Sequence, residues 1–290
     1  MNSKLAYGIY KLTRINEYYA NNLCLTMLGT ILNPKLGPMD MLALFTANIL
    51  VTMFAFAIND IEDAEDDAKD PAKVKRNPIS AKILSKPLAY LFTFIIGALS
   101  IVLLLPYGSY SVILGIASLV IGFLYSYKPV RLKSMPILDL VSHGLFLGTL
   151  ELLVVLTAHN VIPGPISLLL VASIFALSVS GDLYNEIRDY EVDRETNIKN
   201  TAAYIDEKYV KAVGKMLHWF NVPPTIIIGL VTFSLFENKT RLVLMVLSLL
   251  FGVLYLYLEK KYKGQIVRKH AQEIITIVAL VLFLSHFFAR

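Results

Sequence analysis

The chain has 290 residues, of which 56% are hydrophobic and only 17% charged, with a mean hydropathy of +0.60. Soluble chains carry about 25% charged residues, so this composition excludes an ordinary soluble domain and points to a membrane protein. The net charge of +5 comes without a basic stripe interleaved with aromatics, which speaks against a nucleic-acid partner, and the single Cys24 permits no internal disulfide.

From the N-terminus, Lys4, Lys11 and Arg14 alternate with tyrosine and leucine, without the early apolar run of a signal peptide. Apolar runs of roughly 17–25 residues can cross a bilayer as helices. Nine follow, at about 17–33, 39–58, 87–105, 110–127, 137–158, 165–184, 212–235, 240–258 and 272–288. Asn21 and Asn22 interrupt the first. Basic residues set the orientation. The segments after the second, fourth, sixth and eighth runs hold Lys69, Lys73, Lys75 and Arg76, then Lys128, Arg131 and Lys133, then Arg188, Lys199 and Lys208, then Lys260, Lys261 and Arg268. The alternate loops, "PYGS" and "NVIPGP", have no charge. This asymmetry predicts a multi-pass protein of the cell membrane with its N-terminus inside and its C-terminus outside.

The second run ends in "NDIEDAEDD" (59–67) and the sixth in "NEIRDYEVD" (185–193). At an offset of 126 residues Asn59 falls on Asn185, Asp63 on Asp189, Asp67 on Asp193 and Lys73 on Lys199. The offset covers four runs, an even number, so both motifs are expected on one face of the membrane. This predicts a parallel repeat of four-helix units (about 17–134 and 137–269) with a last helix at about 272–288, all in one polytopic domain over 1–290. One acidic cluster after an apolar run is ordinary; two with one residue order call for a purpose. Asn59, Asp60, Asp63 and Asp67 share a helical face, as do Asn185, Asp189 and Asp193. Mg²⁺ uses one or two carboxylates plus substrate phosphates, so two such clusters could bridge a diphosphate. Lys73, Lys199, Arg76, Arg131 and Lys133, on the same predicted face, could meet the anion. Within the runs, Asn48, Thr52 and Asn59 form a stripe that faces either a cavity or a neighbouring helix. Asp139, His143 and Glu151 place ionisable groups in the fifth run. Arg14 either contacts an acceptor headgroup or anchors at the interface.

These residues resemble the UbiA superfamily of intramembrane prenyltransferases. "NDIEDAEDD" fits its NDxxDxxxD motif, "DYEVD" its second DxxxD motif, "YSYKPVRLK" (125–133) its Tyr-and-basic loop, and "KRNPISAKILS" (75–85) its R-P-x-x-S-G-x-x-S segment, with Asn77 inserted and Ala81 in place of glycine. The resemblance implies an all-α membrane fold of nine transmembrane helices around a central cavity. It also implies Mg²⁺-dependent transfer of a prenyl group from an isoprenyl diphosphate to a hydrophobic acceptor, of quinone-precursor, ether-lipid, haem or carotenoid type. Asp63, Asp67, Asp189 and Asp193 would then be catalytic, and Tyr125 would join the basic residues at the substrate. A secondary transporter with a carboxylate-lined site is the alternative; it predicts helices broken at matching depths in the two halves.

Overall fold

The computed structural model describes the backbone of residues 3–195, 199–234 and 280, with the side chains of these apart from residues 3, 192–195, 211, 215, 218 and 233. The described residues form helices and loops. An amphipathic helix, α1 (Ser3–Thr13), comes first and buries Leu12, beside Leu5 and Ile9, on Ala57 and Ile61. The chain turns at Arg14, with φ 47°, into α2 (Tyr19–Leu32). α3 (Pro38–Glu62) starts cleanly because Pro38 needs no donor there and Asp40 accepts the Gly37 N–H at 2.8 Å.

At Asp63 the helix breaks into a single turn, α4 (Ala64–Asp67). Asp70 then caps α5 (Pro71–Arg76), accepting from the N–H groups of Ala72 and Lys73. α6 (Lys86–Leu104) and α7 (Ser109–Ser126) follow. The next span has two parts, α8 (Leu138–Gly144) and α9 (Leu150–Leu156), joined by a wide turn at Leu145–Thr149. α10 (Pro165–Glu195) is continuous. After it come α11 (Glu207–Phe220) and α12 (Val222–Ser234).

Among the described residues, five stretches are long and apolar enough to cross a membrane: Pro38–Glu62, Lys86–Tyr107, Ser109–Ser126, Leu138–Leu156 and Pro165–Glu191. They coincide with the second to sixth predicted runs. The first run becomes α2, whose Asn22 is buried in a helix contact. The seventh differs from expectation: it divides at Asn221, where the Pro223-Pro224 pair falls in the first turn of α12, a position that tolerates proline. The runs at 240–258 and 272–288 lie outside the described residues.

α3 packs along α6 and α7 and against α2; α9 sits between α2 and α7, and α8 and α12 both pack on α10. Small residues permit the close approaches, as at Gly122, where an added Cβ would stand 2.8 Å from Ala55 Cβ. Outward faces of α6, α7 and α10 expose Leu91, Phe94, Ile113, Ile116 and Leu168, as a lipid-facing surface requires. In the interior, Asn22 Nδ2 and Thr52 Oγ1 donate to the buried Glu151 carboxyl, and Asn48 Nδ2 donates to the Glu151 carbonyl. The Asn48–Thr52 stripe therefore faces a neighbouring helix.

Candidate active site

The break after α3 and the loop after α7 bring opposite charges together at one end of the bundle. Arg131 adopts φ 49°, which turns its segment back over the first motif. Arg131 Nη2 donates to Asp63 Oδ1 at 3.1 Å, and Lys133 Nζ donates to the other Asp63 oxygen and to Asn59 Oδ1 at 2.8 Å. Ser126 Oγ holds the same Asn59 oxygen at 3.0 Å. Burial pulls the Lys133 ammonium below its ordinary pKa, with the Asp63 carboxylate acting the other way. Asp67 accepts from Asn77 Nδ2 at 3.0 Å, and Lys73 Nζ lies 4.0 Å from its other oxygen. Asn77 also donates to the Asp60 carbonyl at 2.7 Å. The residue that breaks the Arg-Pro pattern is thus the one that ties α3 to α5.

A cavity of about 770 Å³ opens here. Asp63, Asp67, Lys73, Arg131 and Lys133 line it from the first half of the chain, and Asp182, Glu186, Lys199 and Asn200 from the second, with Tyr125 between. Lys73 and Lys199, matched by the 126-residue offset, reach the same cavity. Asn59, Asp60, Arg76, Asn185 and Asp189 are not among its lining residues. Asp60 is fully buried on the far side of α3, where Arg14 Nη1 meets its Oδ1 at 3.2 Å. Arg14 also binds Glu17 and stacks over Phe56 at 4.7 Å. Burial opposes the charge of Arg14, but hydrogen bonds and attraction from Glu17 and Asp60 outweigh it and raise its pKa. Arg14 is therefore an internal counter-ion in this structure. Asn185 and Arg76 are exposed, and Asp189 pairs with its neighbour Arg188 at 2.7 Å. The Asp193 side chain lies outside the described residues.

Sequence spacing missed Asp182 and Glu186. They precede or interrupt the second motif, yet i,i+4 spacing sets them on the cavity face of α10. Glu186 accepts the Ala202 N–H at 2.9 Å, and Asp139, at the start of α8, accepts both the N–H and the hydroxyl of Thr201. These contacts clip the loop after the second motif to the entry of the fifth span.

Asn59, Asp63 and Asp67 offer the hard oxygen donors that Mg²⁺ prefers. A protein ammonium, Lys133, already bridges the Asn59 amide and the Asp63 carboxylate, so the pair attracts cations. Arg131 keeps its Nε buried with no partner among the described residues, a donor open to an anion. These oxygens are of the kind a divalent cation takes, although among the described residues no three acids, histidines or cysteines converge on one point.

Fold and site together define a multi-pass membrane protein with a mixed-charge cavity at one end of a helical bundle. The chain belongs to the UbiA prenyltransferase family, whose model matches residues 23–285. It is 29% identical over 164 residues to a lycopene elongase/hydratase of Haloarcula japonica, covering 53% of this chain and 51% of that protein; the match spans about half the length of that relative. Its fold is similar to a UbiA homologue from Archaeoglobus fulgidus bound to GPP and Mg²⁺, with TM-score 0.71, 18% identity and coverage of 96% and 99% of the two chains. It is also similar to an apo UbiA homologue from Aeropyrum pernix K1, with TM-score 0.67, 18% identity and coverage of 94% and 98%.

Proposed function

We propose that this protein transfers a prenyl group from an isoprenyl diphosphate to a hydrophobic acceptor, with release of diphosphate, at the cytoplasmic face of the membrane. One observation carries this reading. A single cavity gathers Asp63 and Asp67 of the first motif, Lys73 and Lys199 from matched positions, and Arg131 and Lys133. Asn59, Asp63 and Asp67 would hold Mg²⁺, which supplies charge neutralisation on the leaving group. Asp189 and Asp193 belong to the same proposal as a second acidic arm. Lys73, Lys199, Arg131 and Lys133 bind the diphosphate oxygens and stabilise the negative charge that grows there as the allylic C–O bond breaks. The apolar spans below keep the tail and the reacting carbon away from water.

A ring of nine helices, built from the four-helix repeat, is part of this reading. The relative's name makes a carotenoid-type polyene the first acceptor to try. The transporter alternative needs matched breaks in both halves. The break at Gly148 maps by the offset onto Asn22, inside the uninterrupted α2.

The test uses the purified full chain and geranyl diphosphate. With Mg²⁺ present, diphosphate release and a rise in thermal stability are expected, about 2.7 kcal/mol at a donor concentration one hundred times Kd. Equal stabilisation in EDTA, or no release with any acceptor, would overturn the proposal.

A further inference from the structure

Prenyl transfer to a carbon, oxygen or nitrogen acceptor replaces one of the acceptor's hydrogens. The allylic C–O bond breaks and its electron pair leaves on the diphosphate. An acceptor electron pair forms the new bond to the allylic carbon, and the displaced hydrogen departs as a proton. A cavity shielded from water must provide a base for that proton.

One side chain is set up for this on the membrane side of the acids. Asp182 lies on the same face of α10 as Asp189, seven residues or roughly 10 Å closer to the middle of the helix. It is 8% exposed, and its Oδ2 is buried with no hydrogen-bond partner among the described residues. Its Oδ1 stands 3.6 Å from His143 Nε2 on α8. The other ring nitrogen, His143 Nδ1, is 3.2 Å from Ser178 Oγ. Serine has one hydroxyl hydrogen, and Ser178 donates it to the Leu147 carbonyl at 2.8 Å. We assign the ring hydrogen to Nδ1, donating to Ser178 Oγ, because the shorter contact takes the serine's own hydrogen to Leu147. In this tautomer the lone pair is on Nε2, beside Asp182; Asp182 lines the cavity, and the imidazole stands directly behind it.

The opened turn between α8 and α9 makes this arrangement available. Leu147 leaves the helical conformation and Gly148 adopts φ 131°, a value that suits glycine. A carbonyl inside the membrane needs a donor, and Ser178 donates to that of Leu147. Turns of this kind recur at functional sites. The Tyr125 and Phe146 rings, 5.1 Å apart, flank the imidazole at 6.3 and 6.0 Å.

We infer that His143 is the general base of the transfer. Its Nε2 accepts the proton lost by the acceptor, and the Asp182 carboxylate stabilises the imidazolium that forms. Ser178 is the positioning residue that fixes the tautomer. The inference rests on the prenyl-transfer reading above.

The experiment compares wild type with His143→Gln, His143→Ala and Asp182→Asn, using dimethylallyl diphosphate, Mg²⁺ and lycopene. Product, diphosphate and donor-induced thermal stabilisation are measured separately. In His143→Gln, product formation should fall about 10²–10⁴-fold, the usual range for a lost general base. Stabilisation by the donor should stay at the wild-type value, and diphosphate release should fall less than product, because ionised donor is lost to water. Added imidazole should restore product formation in His143→Ala in proportion to its concentration. Wild-type product formation by His143→Gln would overturn the inference and make the diphosphate itself the proton acceptor. Loss of donor stabilisation together with product, without imidazole rescue, would overturn it by making His143 structural. A wild-type chain that releases no diphosphate with any acceptor removes the prenyl-transfer reading and this inference with it, an outcome distinct from a silent substitution at residue 143.

Discussion

In the first half of the chain, the place defined by Arg14, Glu17, Phe56 and Asp60 is closed: the guanidinium covers the ring and neutralises the buried carboxylate. The positions 126 residues later are His143 for Glu17, Asp182 for Phe56 and Glu186 for Asp60. There the acids line the cavity, with an imidazole beside them. The motif acids that follow differ in another way, in where their partners come from, and here it is Asp63 and Asp67 that line the cavity. α3 stops at Glu62, and Asp63 and Asp67 are taken up by Arg131, Lys133, Lys73 and Asn77. The second motif stays on α10, with Asp189 paired to the residue next to it. Spacing sets which acids share a face; the partners that arrive from other segments decide whether those acids are locked or left to act. The closed place secures the fold, and the open one has groups to spare for chemistry.

The sharpest way to break this comparison is to open the closed place. Arg14→Met leaves Asp60 buried and uncompensated, with an expected loss of about 3–5 kcal/mol, seen as a large fall in Tm in detergent. Arg188→Met, on the exposed side of α10, should leave Tm nearly unaltered. Similar values for the two would dissolve the distinction between locked and open halves. Next in size are the motif acids. Asp63→Ala should lower the rate of diphosphate release about 10²–10³-fold, the range for removing one preorganised stabilising group, and Asp189→Ala should match it if both arms serve the donor. A wild-type rate in Asp189→Ala would confine the donor site to the first half.

Smaller effects sharpen the pairing of lysines. Lys73→Met and Lys199→Met should each weaken donor binding by about 1.5–3 kcal/mol, as for a lost hydrogen bond to a charged group, and leave acceptor affinity unaltered. A donor titration that separates the two lysines would show that only one half grips the diphosphate. The smallest effect concerns Glu65, fully exposed, whose carboxyl is held below the usual range by its hydrogen bond and ion pair with Lys128. A depressed carboxyl pKa gives stability that is present above the unfolded pKa and lost as pH falls through the folded one. Glu65→Gln should therefore match wild type in Tm at low pH and fall only slightly below it at neutral pH.

The second to sixth spans were legible because long apolar runs leave few alternatives. Asn21 and Asn22 looked like an interruption of the first run, since hydropathy cannot show that Glu151 supplies Asn22 with a partner 129 residues away. The division at Asn221 was hidden because prolines at the start of a helix and prolines that break one read alike without the backbone. Repeated spacing picked out Asp63, Asp67, Lys73 and Lys199, and all four line the cavity. Asp60 shared that spacing, but the break at Asp63 and the arrival of Arg14 turned it inward. His143 stood out as an ionisable group in the fifth run, but its pairing with Asp182 was out of reach for a different reason. Their proximity comes from the packing of α8 on α10, and no periodicity within either segment encodes it.

The Glu151 network has a consequence for how this protein is made. A helix carrying a carboxyl near its middle is a poor tenant of lipid on its own. The groups that receive it, Asn22, Asn48 and Thr52, belong to α2 and α3, which leave the ribosome before it. Synthesis order thus places the receptors in the membrane ahead of the acid, so the fifth span can enter against a surface that already offers donors. In a chain permuted to begin at the fifth span, Glu151 would have to wait in the bilayer for its partners, and insertion of that span should become the slow step of assembly.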